Sequence, residues 1–172
     1  MPSYLAIPGI PGDSVASRHE GAIEVRSWSF GCSLATGNFG TGTRTNRPDF
    51  TELTLSCRSG TASPRLLEAC ATGRAIPEAV LSREQGLGRS GTTAELRLAD
   101  VRVSGYTVTG DDELLLDEFR LSFASVTFTV RVPQADGRAG DTVTTTQPST
   151  DSPVPIPASG GIWRPREHIQ DR

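Results

Sequence analysis

The sequence predicts a mainly β fold: a β-barrel of two curled antiparallel sheets with one short flanking α-helix and a long extended loop. Most apolar residues recur with period two, the spacing of a strand that buries one face. In three stretches, within residues 20–31, 94–106 and 119–132, the apolar positions change from one parity to the other partway along. Such a change needs a bulge or bend, and suits a sheet that coils closed better than one that lies flat. A single segment, residues 63–73, carries helix start and stop signals. The chain has 172 residues, 35% hydrophobic and 22% charged, with a formal net charge of -3, which fits one core.

Residues 4–13 open with the apolar run Tyr4-Leu5-Ala6-Ile7 and close on Pro8-Gly9 and Pro11-Gly12, the pattern of an edge strand running into a loop. In the next stretch Ile23 and Val25 share one face and Trp28 and Phe30 the other, which puts a bulge near Arg26 and Ser27. Residues 31–49 follow, with Gly31, Gly37, Gly40 and Gly42 set among Thr, Ser and Asn. Connections longer than ~12–15 residues are functional or disordered. The embedded Asn38, Phe39, Arg44 and Arg47, with Asp49 at the end, are the candidate subunit-interface residues, because an aromatic and arginines on such an arm suit docking on a neighbour.

Leu53, Leu55 and Cys57 alternate as the inner face of a half-buried strand. In the helix that follows, Ser63 is placed to cap, Pro64 suits the first turn and Gly73 the exit, with Leu66, Leu67 and Cys70 on one stripe. Cys70 then reads as packing. Residues 76–83 form another strand, and 84–91 the connection to the next. Within that connection Gly88-Arg89-Ser90-Gly91 matches neither the nucleophile elbow nor the dinucleotide loop, so a hairpin turn is expected.

Two long strands come next, each changing face: Leu96 and Leu98 against Val101 and Val103, then Phe119, Leu121 and Phe123 against Val126, Phe128, Val130 and Val132. Between them, residues 111–118 read as a solvated turn whose acids flank a buried Leu114-Leu115-Leu116 triplet, since their spacing fits neither a calcium loop nor a hydrolase pair. Residues 142–157 are rich in Thr, Ser and Pro and read as an extended linker. A docking segment is expected at 160–169, around Ile162 and Trp163. The resulting division is a barrel domain at 1–136 and a C-terminal tail at 137–172.

Composition narrows the chemistry. All 17 residues of the Lys+Arg count are arginine, so a pyridoxal Schiff base, a Walker-type phosphate loop and a Ser-x-x-Lys hydrolase are excluded. His19 and His168 stand near opposite ends of the chain, a poor basis for a metal site or an imidazole relay. No catalytic, cofactor-binding or metal-ligating residues are assigned. Cys32, Cys57 and Cys70 lack C-x-x-C spacing and leave an odd thiol, consistent with a reducing compartment or with small apolar packing. The acidic balance argues against a nucleic-acid partner, and no stretch nears the ~20 apolar residues of a membrane span. The first residues lack a charged leader and an apolar signal core, the expectation being a chain that starts in the cytoplasm.

The segments Glu24-Val25-Arg26-Ser27-Trp28-Ser29-Phe30-Gly31, Asp49-Phe50-Thr51-Glu52-Leu53-Thr54-Leu55, Ser63-Pro64-Arg65-Leu66-Leu67-Glu68-Ala69-Cys70-Ala71-Thr72-Gly73 and Leu121-Ser122-Phe123-Ala124-Ser125-Val126 give the chain a resemblance to the haemolysin-coregulated proteins (Hcp), tube subunits of bacterial type VI secretion systems. The resemblance spans residues 4–136. It implies a non-enzymatic barrel subunit that forms six-membered rings. These stack into a tube that a contractile sheath drives out behind a spike protein. It implies shelter for small effectors in the lumen, and release of the subunit itself without a cleaved signal peptide. The arm at 31–49 would touch the adjacent ring. The competing reading is a monomeric ligand-binding β-barrel or sandwich, with Trp28, Tyr106 and the Asp111-Asp112-Glu113 turn forming a sugar or Ca²⁺ site.

Overall fold

The computed structural model describes residues 1–34, 48–84, 92–110, 112–131 and 142–149. The elements are β1 (Ser3–Ala6), β2 (Ile23–Ser29), β3 (Cys32–Leu34), β4 (Pro48–Phe50), β5 (Leu53–Arg58), α1 (Ser63–Thr72), β6 (Ile76–Glu84), β7 (Thr92–Gly110), β8 (Leu115–Ser122), β9 (Ser125–Arg131) and β10 (Thr142–Pro148). Eight strands form one antiparallel sheet in the order β10-β9-β7-β6-β1-β2-β5-β8, and a further pairing of β7 with β8 closes six of them into a barrel. The fold is mainly β with a single helix among the described residues, as expected. No helix among them is long and apolar enough to cross a membrane.

Strand β1 lies inside the barrel wall, paired with β2 on one side and β6 on the other, and is no edge strand. Its shortness reflects the turn at Pro8-Gly9; β2 is the next strand along the chain, while β6 comes from far beyond it. The register of β2 with β5 shifts between Val25 and Ser27, where the change of parity placed a bulge. The long excursion after Gly31 begins and ends as strand: β3 and β4 pair as a separate two-stranded ribbon. Leu53, Leu55 and Cys57 are all buried.

The 19-residue β7 changes face at Asp100, whose φ of 52° puts it in the left-handed region. The stretch read as one long returning strand is two. β8 pairs with the second half of β7 and β9 with the first half, the break falling at Phe123 and Ala124, directly opposite Asp100. The Ala124 N–H donates to the Ala99 carbonyl at 2.9 Å, so both strands bend together without losing register. Leu96, Leu98, Val101, Val103, Phe119, Leu121 and Val126 therefore all reach the core, despite the change of parity.

Helix α1 packs against β7. Gly73 closes it in the left-handed conformation, at φ 62°, and Arg102 Nη1 donates to the Gly73 carbonyl at 2.6 Å. Ala62, and not Ser63, occupies the cap position. The Leu66 N–H already bonds to the Ala62 carbonyl, which starts the helix one residue early. The buried stripe is Leu66 and Ala69 with Cys70 half-buried, while Leu67 is 55% exposed. Residues 142–148, expected as linker, form β10 against β9, as their β-branched Thr and Val favour. The sheet thus runs beyond residue 136. The Gly88–Gly91 turn, the second half of the Thr/Pro-rich stretch and the segment 160–169 lie outside the described residues.

Candidate functional site

The most enclosed polar group is Asp117 on β8, whose relative exposure is 0%. Ser59 Oγ, just past β5, donates to Asp117 Oδ1 at 2.5 Å, and Tyr106 Oη, on β7, donates to the same oxygen at 3.0 Å. Ser63 Oγ, in the first turn of α1, donates to Oδ2 at 2.5 Å and accepts the Gly60 N–H at 2.8 Å. One carboxyl group therefore ties together the end of β5, the start of the helix, β7 and β8. Burial, reinforced by the hydrogen bond to Asp117, pushes the Tyr106 hydroxyl up to about 12. Burial beside the same carboxyl pushes the Cys57 thiol up to about 12 as well. All three donors are engaged, and no histidine takes part, so the cluster holds elements in place and offers no activated nucleophile. Among the described residues no buried side-chain polar atom lacks a partner.

Asp117 belongs to the run read as a solvated acidic turn. Only its neighbours behave so: Asp112 and Glu113 are exposed, and Leu115, placed in a buried triplet, is 56% exposed. The signal for Asp117 was its parity, since it shares odd numbering with Phe119 and Leu121, the inward face of β8.

An open cleft of about 850 Å³ is lined by Asp13, Glu24, Arg26, Arg58, Ser59 and Glu113. Asp13 accepts the Thr61 hydroxyl at 2.7 Å and the Thr61 N–H at 3.0 Å, which holds its carboxyl below the usual value. Trp28 sits elsewhere, in a crevice with Leu81, Leu96 and Phe128, and the Tyr106 hydroxyl is committed to Asp117. Trp28 thus lines a different depression from Glu113, and Asp111 lies outside the described residues. Among those described, no group of three or more His, Cys, Asp or Glu residues is placed to hold a metal ion.

Two surfaces stand out from the barrel. Residues Cys32, Ser33 and Leu34 of the ribbon are exposed, with Leu34 at 52%. Asp49 is exposed on β4, opposite Ser33. Phe30, Phe50 and Phe123 pack at the ribbon's base with ring centroids 5.9–6.5 Å apart. Asn38, Phe39, Arg44 and Arg47 lie outside the described residues. The second surface is β10, exposed at every residue and at the end of the sheet order.

The family model described as "Type VI secretion system effector, Hcp" matches residues 4–130. The chain belongs to the Hcp family. Hcp proteins are tube proteins of type VI secretion systems, and the barrel with its single helix is the fold of that family. Hcp1 from Salmonella typhimurium is 24% identical, covers 86% of this chain and 93% of its own, and superposes with a TM-score of 0.71. Hcp2 from the same organism gives 24%, 87%, 96% and 0.67. A type VI secretion system effector from Yersinia pestis gives 20%, 85%, 98% and 0.68. At these identities the structural likeness establishes the fold alone. No curated protein matches the chain.

Proposed function

We propose that this Hcp chain is a structural subunit that closes into six-membered rings, that the rings stack into the inner tube expelled by a contractile sheath, and that the lumen carries small effectors. The reading rests on family membership, and on one observation in particular. The β3–β4 ribbon stands apart from the sheet with β3 wholly exposed. An isolated two-stranded ribbon is marginal in water, so a ribbon built this way is suited to gain a partner surface. In a ring the contacts are heterologous and close by rotation, which lets exposed edges and arms serve as interfaces. Asn38, Phe39, Arg44, Arg47 and Asp49 are the residues proposed to meet the adjacent ring. Other partners are the spike protein, the sheath and the effectors of the same apparatus, with no nucleic acid, cofactor or membrane insertion. The subunit assembles in the cytoplasm, leaves through the apparatus, and catalyses no reaction.

Deleting residues 37–44 is expected to leave a folded barrel, with unchanged circular dichroism, that no longer stacks. Electron microscopy that finds tubes as long as those of the unaltered chain would overturn the assignment of the arm.

A further inference from the structure

The open edge of β10 is a feature that neither the barrel nor the arm explains. The Ser149 N–H donates to the Ala124 carbonyl at 2.6 Å, continuing the β10–β9 register one residue past Pro148. In antiparallel pairs, residues whose N–H and C=O groups face the partner alternate with residues whose groups face away. Counted back from Ser149, the groups of Gln147, Thr145 and Val143 face β9, and those of Pro148, Thr146, Thr144 and Thr142 face outward. The outward edge, with no neighbouring strand among the described residues, thus carries the N–H donors of Thr142, Thr144 and Thr146. Pro148, which has no N–H to give, falls on the outward side, where it leaves the ladder with β9 intact.

The sequence just beyond has a complementary pattern. Pro153, Pro155 and Pro157 alternate with Val154, Ile156 and Ala158. In extended backbone, successive residues direct their N–H and C=O groups to opposite edges. One edge of this segment would therefore carry the paired donors and acceptors of Val154, Ile156 and Ala158, and the other would carry carbonyls alone. Proline also holds φ near about −65° and biases the residue before it to extended conformations, so little ordering is needed. A segment able to pair on one edge and blocked on the other is suited to end a sheet.

We propose that residues 154–158 of the same chain pair antiparallel with the outward edge of β10, and that their prolines terminate the sheet. Pairing Pro148 with Val154, Thr146 with Ile156 and Thr144 with Ala158 leaves residues 149–153 as a five-residue connection, within the lengths common in hairpins. So short a link also gives this segment a local concentration that no other copy matches. Residues directly opposite in a sheet share a face. Val154 and Ile156 then join the threonine row of β10, whose Thr144 and Thr146 hydroxyls meet Thr129 and Thr127 at 3.1 and 2.9 Å. The prolines cover the face that holds Val143, which is 66% exposed in the described structure. The cap protects the sheet from indiscriminate strand addition, and it stands independently of ring formation.

Residue-resolved hydrogen exchange on the full chain tests this. The Thr144 and Thr146 amides are expected to be protected. In a Val154→Pro, Ile156→Pro double variant, which removes the two central donors and sets rings against β10, their protection should fall roughly tenfold or more. The Val143 and Thr145 amides, bonded to β9, should keep theirs and report an intact sheet. Unprotected Thr144 and Thr146 in the unaltered chain would overturn the proposal. So would protection that survives in the double variant; if it also rises with protein concentration, a second copy is the occupant. Molecular mass measured on the same samples reports ring formation separately.

Discussion

Asp117 shows how one residue sets the geometry of four elements. Replacing it with Ala leaves the hydroxyls of Ser59, Ser63 and Tyr106 without their acceptor in a closed space, which should cost about 3 kcal/mol or more in denaturant unfolding. Tyr106→Phe removes a single donor and should cost about 1 kcal/mol. The raised values of Cys57 and Tyr106 also fix an alkaline limit. Both groups bind their proton more tightly folded than unfolded, so their contribution is complete below the unfolded values, 9.0 and 10.0, and is lost as pH rises toward about 12. Melting temperature should fall over that window. Cys57→Ala should flatten the lower part of the decline and Tyr106→Phe the upper part; an unchanged pH profile in both variants would refute this assignment. The parity of Asp117 with Phe119 and Leu121 was legible, but its acidic neighbours masked it. The Ser59 and Ser63 partners depend on contacts 58 and 54 residues apart, beyond any local pattern.

Among the elements, the paired bend of β7 with β8 and β9 is what lets long strands close a small barrel. It turns on Asp100, the one described non-glycine residue with positive φ. Asp tolerates that conformation and β-branched residues do not. Asp100→Val should therefore lose about 1–3 kcal/mol, and Asp100→Gly should stay within about 1 kcal/mol of the unaltered chain. Equal stabilities would mean that the bend does not depend on this backbone. A second close approach is Gly12, where an added Cβ would collide with the Ala22 carbonyl, so Gly12→Ala should lower stability by about 1–3 kcal/mol. The changes of parity made the bends readable from sequence, because a residue facing the core cannot hide its hydrophobicity. The interior position of β1 was not readable, since its partner β6 lies some 75 residues away and nothing within Tyr4–Ile7 encodes that pairing. Likewise β10 was obscured because all its residues are exposed, leaving no alternation to detect.

At the scale of the molecule, a barrel closed by β7 and β8 still carries an exposed ribbon. Such a ribbon suits an assembly better than a solitary binding module, whose Trp28 and Glu113 line different depressions. The absence of lysine constrains how subunits meet. Every side-chain cation at an interface other than histidine is an arginine, which stays charged and engages carboxylates through two parallel hydrogen bonds. Amine-directed cross-linking reaches only the N-terminus, so it is the wrong probe of assembly. Negative-stain electron microscopy of the purified full chain is the direct one: uniform rings with six-fold symmetry are expected, and a population of single barrels that persists at high protein concentration would contradict the tube function.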